Sequence, residues 1–138
     1  MTGLLWHRGR WALAAAIGCL SVTACSNYVA RGRSLYREGR YIESAELLAV
    51  HEVDLREQSP RKLAEYATYR GLSNLVLGNY PEAHRWMTYA YQIERGYPGA
   101  LRADQRLELD QGWWELTMRM GPHPAGSPPS ADTAQVGR

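Results

Sequence analysis

The sequence predicts an all-α domain, and three observations carry that prediction. Apolar and small residues recur at helical spacing in five stretches between residues 28 and 120. Nothing in that span alternates as a half-buried strand would. The signals that stop and start helices, Ser59-Pro60, Gly78-Asn79 and Gly96-Tyr97-Pro98-Gly99, fall between the stretches.

The first stretch places Tyr28, Gly32, Leu35, Tyr36 and Gly39 on one face. The second places Tyr41, Ala45, Leu48 and Leu55 together and runs to about Gln58. Ser59 then serves as N-cap with Pro60 as first helical residue, where the missing N–H costs nothing. Leu63, Tyr66, Ala67, Gly71, Asn74 and Leu75 line the third helix, which Gly78 ends. Asn79-Tyr80-Pro81-Glu82 reads as a capping box opening the fourth, whose face is Tyr80, Ala83, His84, Met87, Ala90 and Tyr91.

The fifth helix runs from about Ala100 to Met120 and carries two apolar stripes. Leu107, Trp114 and Met118 form one, and Leu109, Trp113, Leu116 and Met120 the other. One stripe can close a bundle. The Trp113 stripe is either buried by the chain or presented to a partner, for which aromatic anchors are suited. Gly112 weakens the helix by roughly 1 kcal/mol and suggests a bend.

Two segments align on themselves. Gly32-x-x-Leu35-x-x-x-Gly39-x-Tyr41 matches Gly71-x-x-Asn74-x-x-x-Gly78-x-Tyr80, with Glu43 matching Glu82, each pair 39 residues apart. Such a helix, tight turn and helix resembles the tetratricopeptide repeat, whose unit is about 34 residues; the extra residues are expected near positions 59–63. The second copy matches better, having Gly71, Gly78, Tyr80, Ala83 and Ala90 where that family places small and aromatic packing residues. The first has Ser44 and His51 at the two alanine positions. The resemblance implies a short right-handed array of helical hairpins, two helix pairs with the fifth helix as cap, because two repeats alone rarely make a stable stack. It also implies a ligand groove lined by first helices, which the alignment places at Arg33 and Tyr36 in one repeat and Thr68, Leu72 and Leu75 in the other. Trp113 joins these as a candidate partner contact from the cap.

The two ends of the chain differ from its middle. Of 138 residues, about 90 belong to the helical part, a size that buries a modest core. The chain has no Phe, so aromatic burial falls to nine Tyr and five Trp. His7, Arg8 and Arg10 precede the apolar run at residues 11–22, the pattern of a secretory signal. The run is shorter than the roughly 20 apolar residues a spanning helix needs, though an uncleaved anchor is the alternative. Without residues 1–24 the formal charge of +2 becomes fourteen basic against fourteen acidic groups. That balance gives no electrostatic footprint for DNA or RNA, so no nucleic-acid partner is expected.

Val22-Thr23-Ala24-Cys25 resembles the bacterial lipobox, and Cys19 is a poorer candidate inside the apolar run. The resemblance implies cleavage before Cys25, thioether lipidation of its thiol, and a membrane partner held through the lipid. Two or more acyl chains make such an anchor durable. The plain alternative is a secreted protein with a free Cys25. Ser26, in the enterobacterial sorting pattern, favours the outer membrane facing the periplasm. The expected domains are a signal peptide at 1–24, a helical repeat domain at 25–120, and a disordered tail at 121–138. That tail holds four of the seven prolines and reads as solvated or as a proline-rich ligand.

Catalytic and metal signals are missing from the pattern. Cleavage and lipidation would consume both cysteines, the four histidines do not cluster, and no HExxH, GxSxG or Walker-type loop occurs. His51 and His84 read as packed or surface imidazoles without a close acidic pairing. Glu43 with Glu46, or Asp104 with Glu108, could set two carboxylates on one helix face, but pairing with Arg37, Arg102 or Arg106 explains them better. No cofactor beyond the lipid on Cys25 and no enzymatic activity are expected. The expected role is a membrane-anchored protein-interaction module of the cell envelope. Its rival is a self-associating structural protein contacting peptidoglycan, and a hydrolase with an unrecognised site comes third.

Overall fold

A computed structural model describes residues 27–121. Those residues form helices α1 (Tyr28–Arg37), α2 (Tyr41–Val50), α3 (Pro60–Val76), α4 (Tyr80–Gly96) and α5 (Ala103–Met120), with a 3-10 turn at Glu52–Glu57. No strand occurs among them, so the described chain is all-α. Cys25, the apolar run before it and the proline-rich tail lie outside the described residues.

The helices stack as two hairpins and a fifth element, with α3 in the middle. It packs on α1 and α2 on one side and on α4 and α5 on the other. Each hairpin turns the same way. Gly39 and Gly78 adopt φ of 78° and 77°, a region nearly closed to residues with a Cβ. In the first turn Arg40 N–H donates to Leu35 O at 2.8 Å and Gly39 N–H to Tyr36 O at 3.0 Å. In the second, Asn79 N–H donates to Asn74 O at 2.9 Å and Gly78 N–H to Leu75 O at 3.1 Å. This pair of crossed bonds satisfies carbonyls that a helix end would otherwise leave open.

The 39-residue correspondence extends into packing. A Cβ on Gly32 would lie 2.8 Å from Leu48 Cδ2, and one on Gly71 would lie 2.5 Å from Met87 Cγ. Leu48 and Met87 are themselves 39 residues apart, so each hairpin closes by the same large residue on the same missing side chain. Where α4 offers Ala83, α2 offers Ser44, whose hydroxyl donates to Gly32 O at 2.9 Å and accepts from Ser73 Oγ at 2.9 Å. A buried polar group is tolerated because both of its needs are met. The core then fills with tyrosine in place of phenylalanine. Tyr66 and Tyr69 are fully buried, and the Tyr66 hydroxyl donates to Leu48 O at 2.6 Å.

Four local expectations change. The second helix stops at Val50 and does not run to Gln58; beyond it the chain continues as the 3-10 turn, from which Leu55 packs half-buried against the core. The 3-10 turn contributes no buried residue, and Val53 is 79% exposed. His51 instead stacks on Tyr28, ring centroids 4.2 Å apart, and its Nδ1 lies 2.7 Å from Asp54 Oδ2, an acidic pairing absent from the sequence reading. Asn79 makes no side-chain cap: its amide donates to Asn74 Oδ1 at 3.3 Å, and Glu82 accepts from Trp86 Nε1 at 3.1 Å. The Ser59 cap is present, accepting from Lys62 N at 3.4 Å. Finally, Gly112 marks no bend. Helix α5 runs unbroken through it, and a Cβ there would collide with Leu72 Cδ2 and lie 2.9 Å from Met87 Cε. Its role is close approach.

Candidate functional site

The face shared by α1 and α3 is where the alignment places a groove. Arg33 and Tyr36 of α1 reach it half-buried. Arg33 Nη1 donates to Glu65 Oε1 at 2.5 Å. Tyr36 packs on Tyr41 and Tyr69 with centroids 5.4 and 5.6 Å away. Burial, then neighbouring Tyr41 and the acids Glu108 and Glu115, push its hydroxyl up to about 12.

The other four predicted partner contacts are in the core. Thr68 is fully buried, with its hydroxyl donating to Ala64 O at 2.8 Å. Leu72 and Leu75 are buried, Leu72 beneath Gly112 of α5. Trp113 is 5% exposed, edge-on to Tyr91 at 5.4 Å and tilted over His84 at 5.3 Å. The physical reason is that α5 packs on α3 and α4 through Gly112, so its own Trp113 side turns inward with it.

What remains on that face is a lattice of charges. Arg37 Nη2 donates to Tyr69 Oη at 3.2 Å, to Asp104 Oδ2 at 2.9 Å and to Glu108 Oε1 at 2.5 Å. Arg102 adds a second cation beside Asp104 at 3.2 Å. The Arg37 guanidinium, followed by that of Arg102, holds the Asp104 carboxyl well below the usual carboxylate range. These groups bridge α1 to α5 across α3, and each acid is already matched by a cation. The carboxylate pair therefore reads as a strap between helices, as the arginine pairing predicted, and not as an acid and base facing a substrate. Among the described residues no group of three His, Cys, Asp or Glu is placed to hold a metal ion.

The exposed surface of α5 is different in kind. Leu107 is 58% exposed and Trp114 and Met118 are each 66% exposed, one helical stripe facing away from the bundle. Its flanks are self-paired at i,i+4: Arg106 with Asp110 at 3.0 Å, and Arg119 with Glu115 at 2.6 Å. The stripe that sequence reasoning singled out as a candidate contact is thus the buried one, and its neighbour is the one left open. A signal for this was present: Gly112 shares a face with Leu109, Trp113 and Leu116, and a residue without a side chain marks the side of closest approach. No described helix is long and apolar enough to cross a membrane. Comparison with family models, with curated proteins and with solved structures gives no match.

Proposed function

We propose that this chain is a membrane-anchored interaction module of the bacterial cell envelope, a tetratricopeptide-like hairpin array tethered through a lipid on Cys25. The observation that carries the interaction reading is the open stripe of Leu107, Trp114 and Met118. Soluble domains seldom leave Trp, Leu and Met together on one unpartnered helix face, and such residues are suited to anchor a protein contact. Supporting the repeat reading are the paired glycine turns, the paired close approaches at Gly32 and Gly71, and the stacking of α3 between the hairpins.

The stripe on α5 replaces the sequence-derived groove as the docking surface. The partner is a protein segment offering an apolar face, in the periplasm and near the membrane. Supporting the anchor are the basic start, the apolar run and Val22-Thr23-Ala24-Cys25. The site offers no chemistry to assign a reaction, and the reading is of a binder.

Self-association is the second reading, and the paired flanks favour it. With Arg106–Asp110 and Glu115–Arg119 neutralised within the helix, a second copy of the stripe meets no net charge. Crosslinking capture from native membranes tests both readings, comparing the wild-type chain with Trp114→Ala and with Cys25→Ala. Capture of a defined envelope protein, lost in Trp114→Ala and weakened in Cys25→Ala, supports the adaptor. Recovery of the chain with itself alone, with a concentration-dependent dimer in sedimentation, replaces it with the structural reading. Capture unchanged by Trp114→Ala removes the stripe from the account.

A further inference from the structure

We infer that the corner of the domain where α1 begins is a docking face for an anionic lipid surface, formed by Val53, Arg56, Arg61 and Lys62. The inference rests on the proposed anchor at Cys25 and goes beyond it by naming which side of the domain meets the bilayer and with what chemistry.

The tether is short. Only Ser26 and Asn27 separate Cys25 from Tyr28, so three residue steps reach at most roughly 10 Å. The other end of the tether is held in place. Tyr28 is 6% exposed, stacked on His51 at an interplanar angle of 14°, edge-on to Tyr66 at 6.4 Å, with Lys62 Nζ 5.8 Å from its ring centre. A lipid at Cys25 would therefore bring this corner, and not another part of the domain, to within about a Debye length of the headgroups.

The corner has the composition an anionic interface selects. The 3-10 turn packs Leu55 against the core but holds Val53 79% exposed; Val50 beside it is 74% exposed. Arg56 and Arg61 are exposed and have no ion-pair partner among the described residues, and Lys62 lies over Tyr28. Of the nearby acids, Glu52 pairs with Arg85 at 3.2 Å, whereas Asp54 lies 2.7 Å from the His51 ring nitrogen, which is charged only when protonated; Asp54 and Glu57 therefore stand against the three cations Arg56, Arg61 and Lys62. Arg56 and Arg61 without ion pairs among the described residues, Lys62 at the Tyr28 ring and the exposed Val53 together fit a surface of acidic headgroups over acyl chains. The turn that breaks α2 also gains a role, since it carries Val53 and Arg56 out of the bundle.

The test uses the full chain isolated from membranes in a Cys19→Ser background, with a nitroxide on Val53→Cys and, separately, on Met118→Cys. Where mass shows Cys25 unmodified, Cys25→Ser is added so that the label stays single. Each chain is mixed with phosphatidylcholine vesicles with and without phosphatidylglycerol, and label access to oxygen and to an aqueous nickel chelate is read. The expected result is a Val53 label shielded from the chelate and open to oxygen on phosphatidylglycerol vesicles, with the Met118 label open to the chelate. Replacing Arg56, Arg61 or Lys62 by Gln is expected to lower the shielded fraction about fivefold in partition for each cation removed, and reversal to Glu to lower it further. Shielding on a chain without lipid keeps the face and removes the anchor. A lipidated chain whose Val53 label stays open to the chelate keeps the anchor and overturns the face, and an unmodified chain with an open label overturns both. Shielding that ignores both phosphatidylglycerol and charge reversal overturns the anionic chemistry.

Discussion

The two faces of α5 carry nearly the same residues and have opposite fates. The inner face presents Leu109, Trp113 and Leu116, all nearly or fully buried; the outer presents Leu107, Trp114 and Met118, all more than half exposed. Trp113 and Trp114 are neighbours in sequence, one helical step apart, yet one sits against Tyr91 and the other meets solvent. Hydrophobicity alone does not choose between them. What chooses is the gap at Gly112, which lets α5 settle onto Leu72 of α3 and Met87 of α4 only on that side.

The difference can be broken most severely at Trp113. Trp113→Ala should cost roughly 3–5 kcal/mol in denaturant unfolding, the range for deleting a buried aromatic side chain. Trp113→Phe should cost far less, because Trp113 Nε1 is buried without a hydrogen-bond partner and loses nothing when removed. Equal losses in the two variants would show that the indole N–H matters in a way the packing does not account for.

A smaller effect is expected at the glycine itself. Gly112→Ala adds a methyl against Leu72 and Met87, an overpacking cost of about 1–3 kcal/mol set against about 1 kcal/mol of helix propensity gained. Gly96→Ala, in the same background, adds a side chain to open space and should not destabilise by overpacking. If Gly112→Ala were stabilising, close approach would not be what selects the inner face.

At the edge of that face the strap from Arg37 to Asp104 gives an acid dependence. Asp104 in the folded chain is depressed below its ordinary value, so its contribution is present at neutral pH, above the unfolded value, and is lost as pH falls through the carboxylate range. Asp104→Asn should flatten the acid side of the stability profile and leave its alkaline side alone. Both groups are largely exposed, so the change should be modest and diminished by salt. An acid limb identical in the two proteins would place the dependence elsewhere.

The smallest change in stability is expected on the outer face, where function is expected to suffer most. Trp114→Ala should shift unfolding by no more than about 0.5 kcal/mol, as exposed substitutions do. The same variant should lose partner capture. A large loss of stability would mean that Trp114 is covered within the protein in solution, most directly by a second copy.

Much of the fold was legible in residue spacing. The helices, the Ser59-Pro60 start, the Gly39 and Gly78 turns and the small-residue positions Gly32 and Gly71 all follow from local rules, because φ preference and helical period act within a few residues. Local rules failed where a nonlocal contact competed. Helical spacing from Tyr41 to Leu55 was read through His51, but α2 ends at Val50, with His51 stacked on Tyr28 and Leu55 reaching the core from a 3-10 turn. Asn79 and Glu82 had the spacing of a capping box, yet each found a partner elsewhere in Asn74 and Trp86. Among the candidate site residues, Arg33 and Tyr36 reach the face they were assigned, whereas Thr68, Leu72, Leu75 and Trp113 went to the core because α5 covers α3.

By itself the sequence determined the helical period, the two matching hairpins and the existence of two apolar stripes on the last helix, since each depends on residues within one or two turns of one another. Only the tertiary structure decided which stripe faces the core, which charges strap α1 to α5 and which cation lies over Tyr28. Those outcomes depend on the distances between residues far apart in the chain, such as Leu72 from Gly112 and Arg37 from Glu108, and helical periodicity carries no information about them.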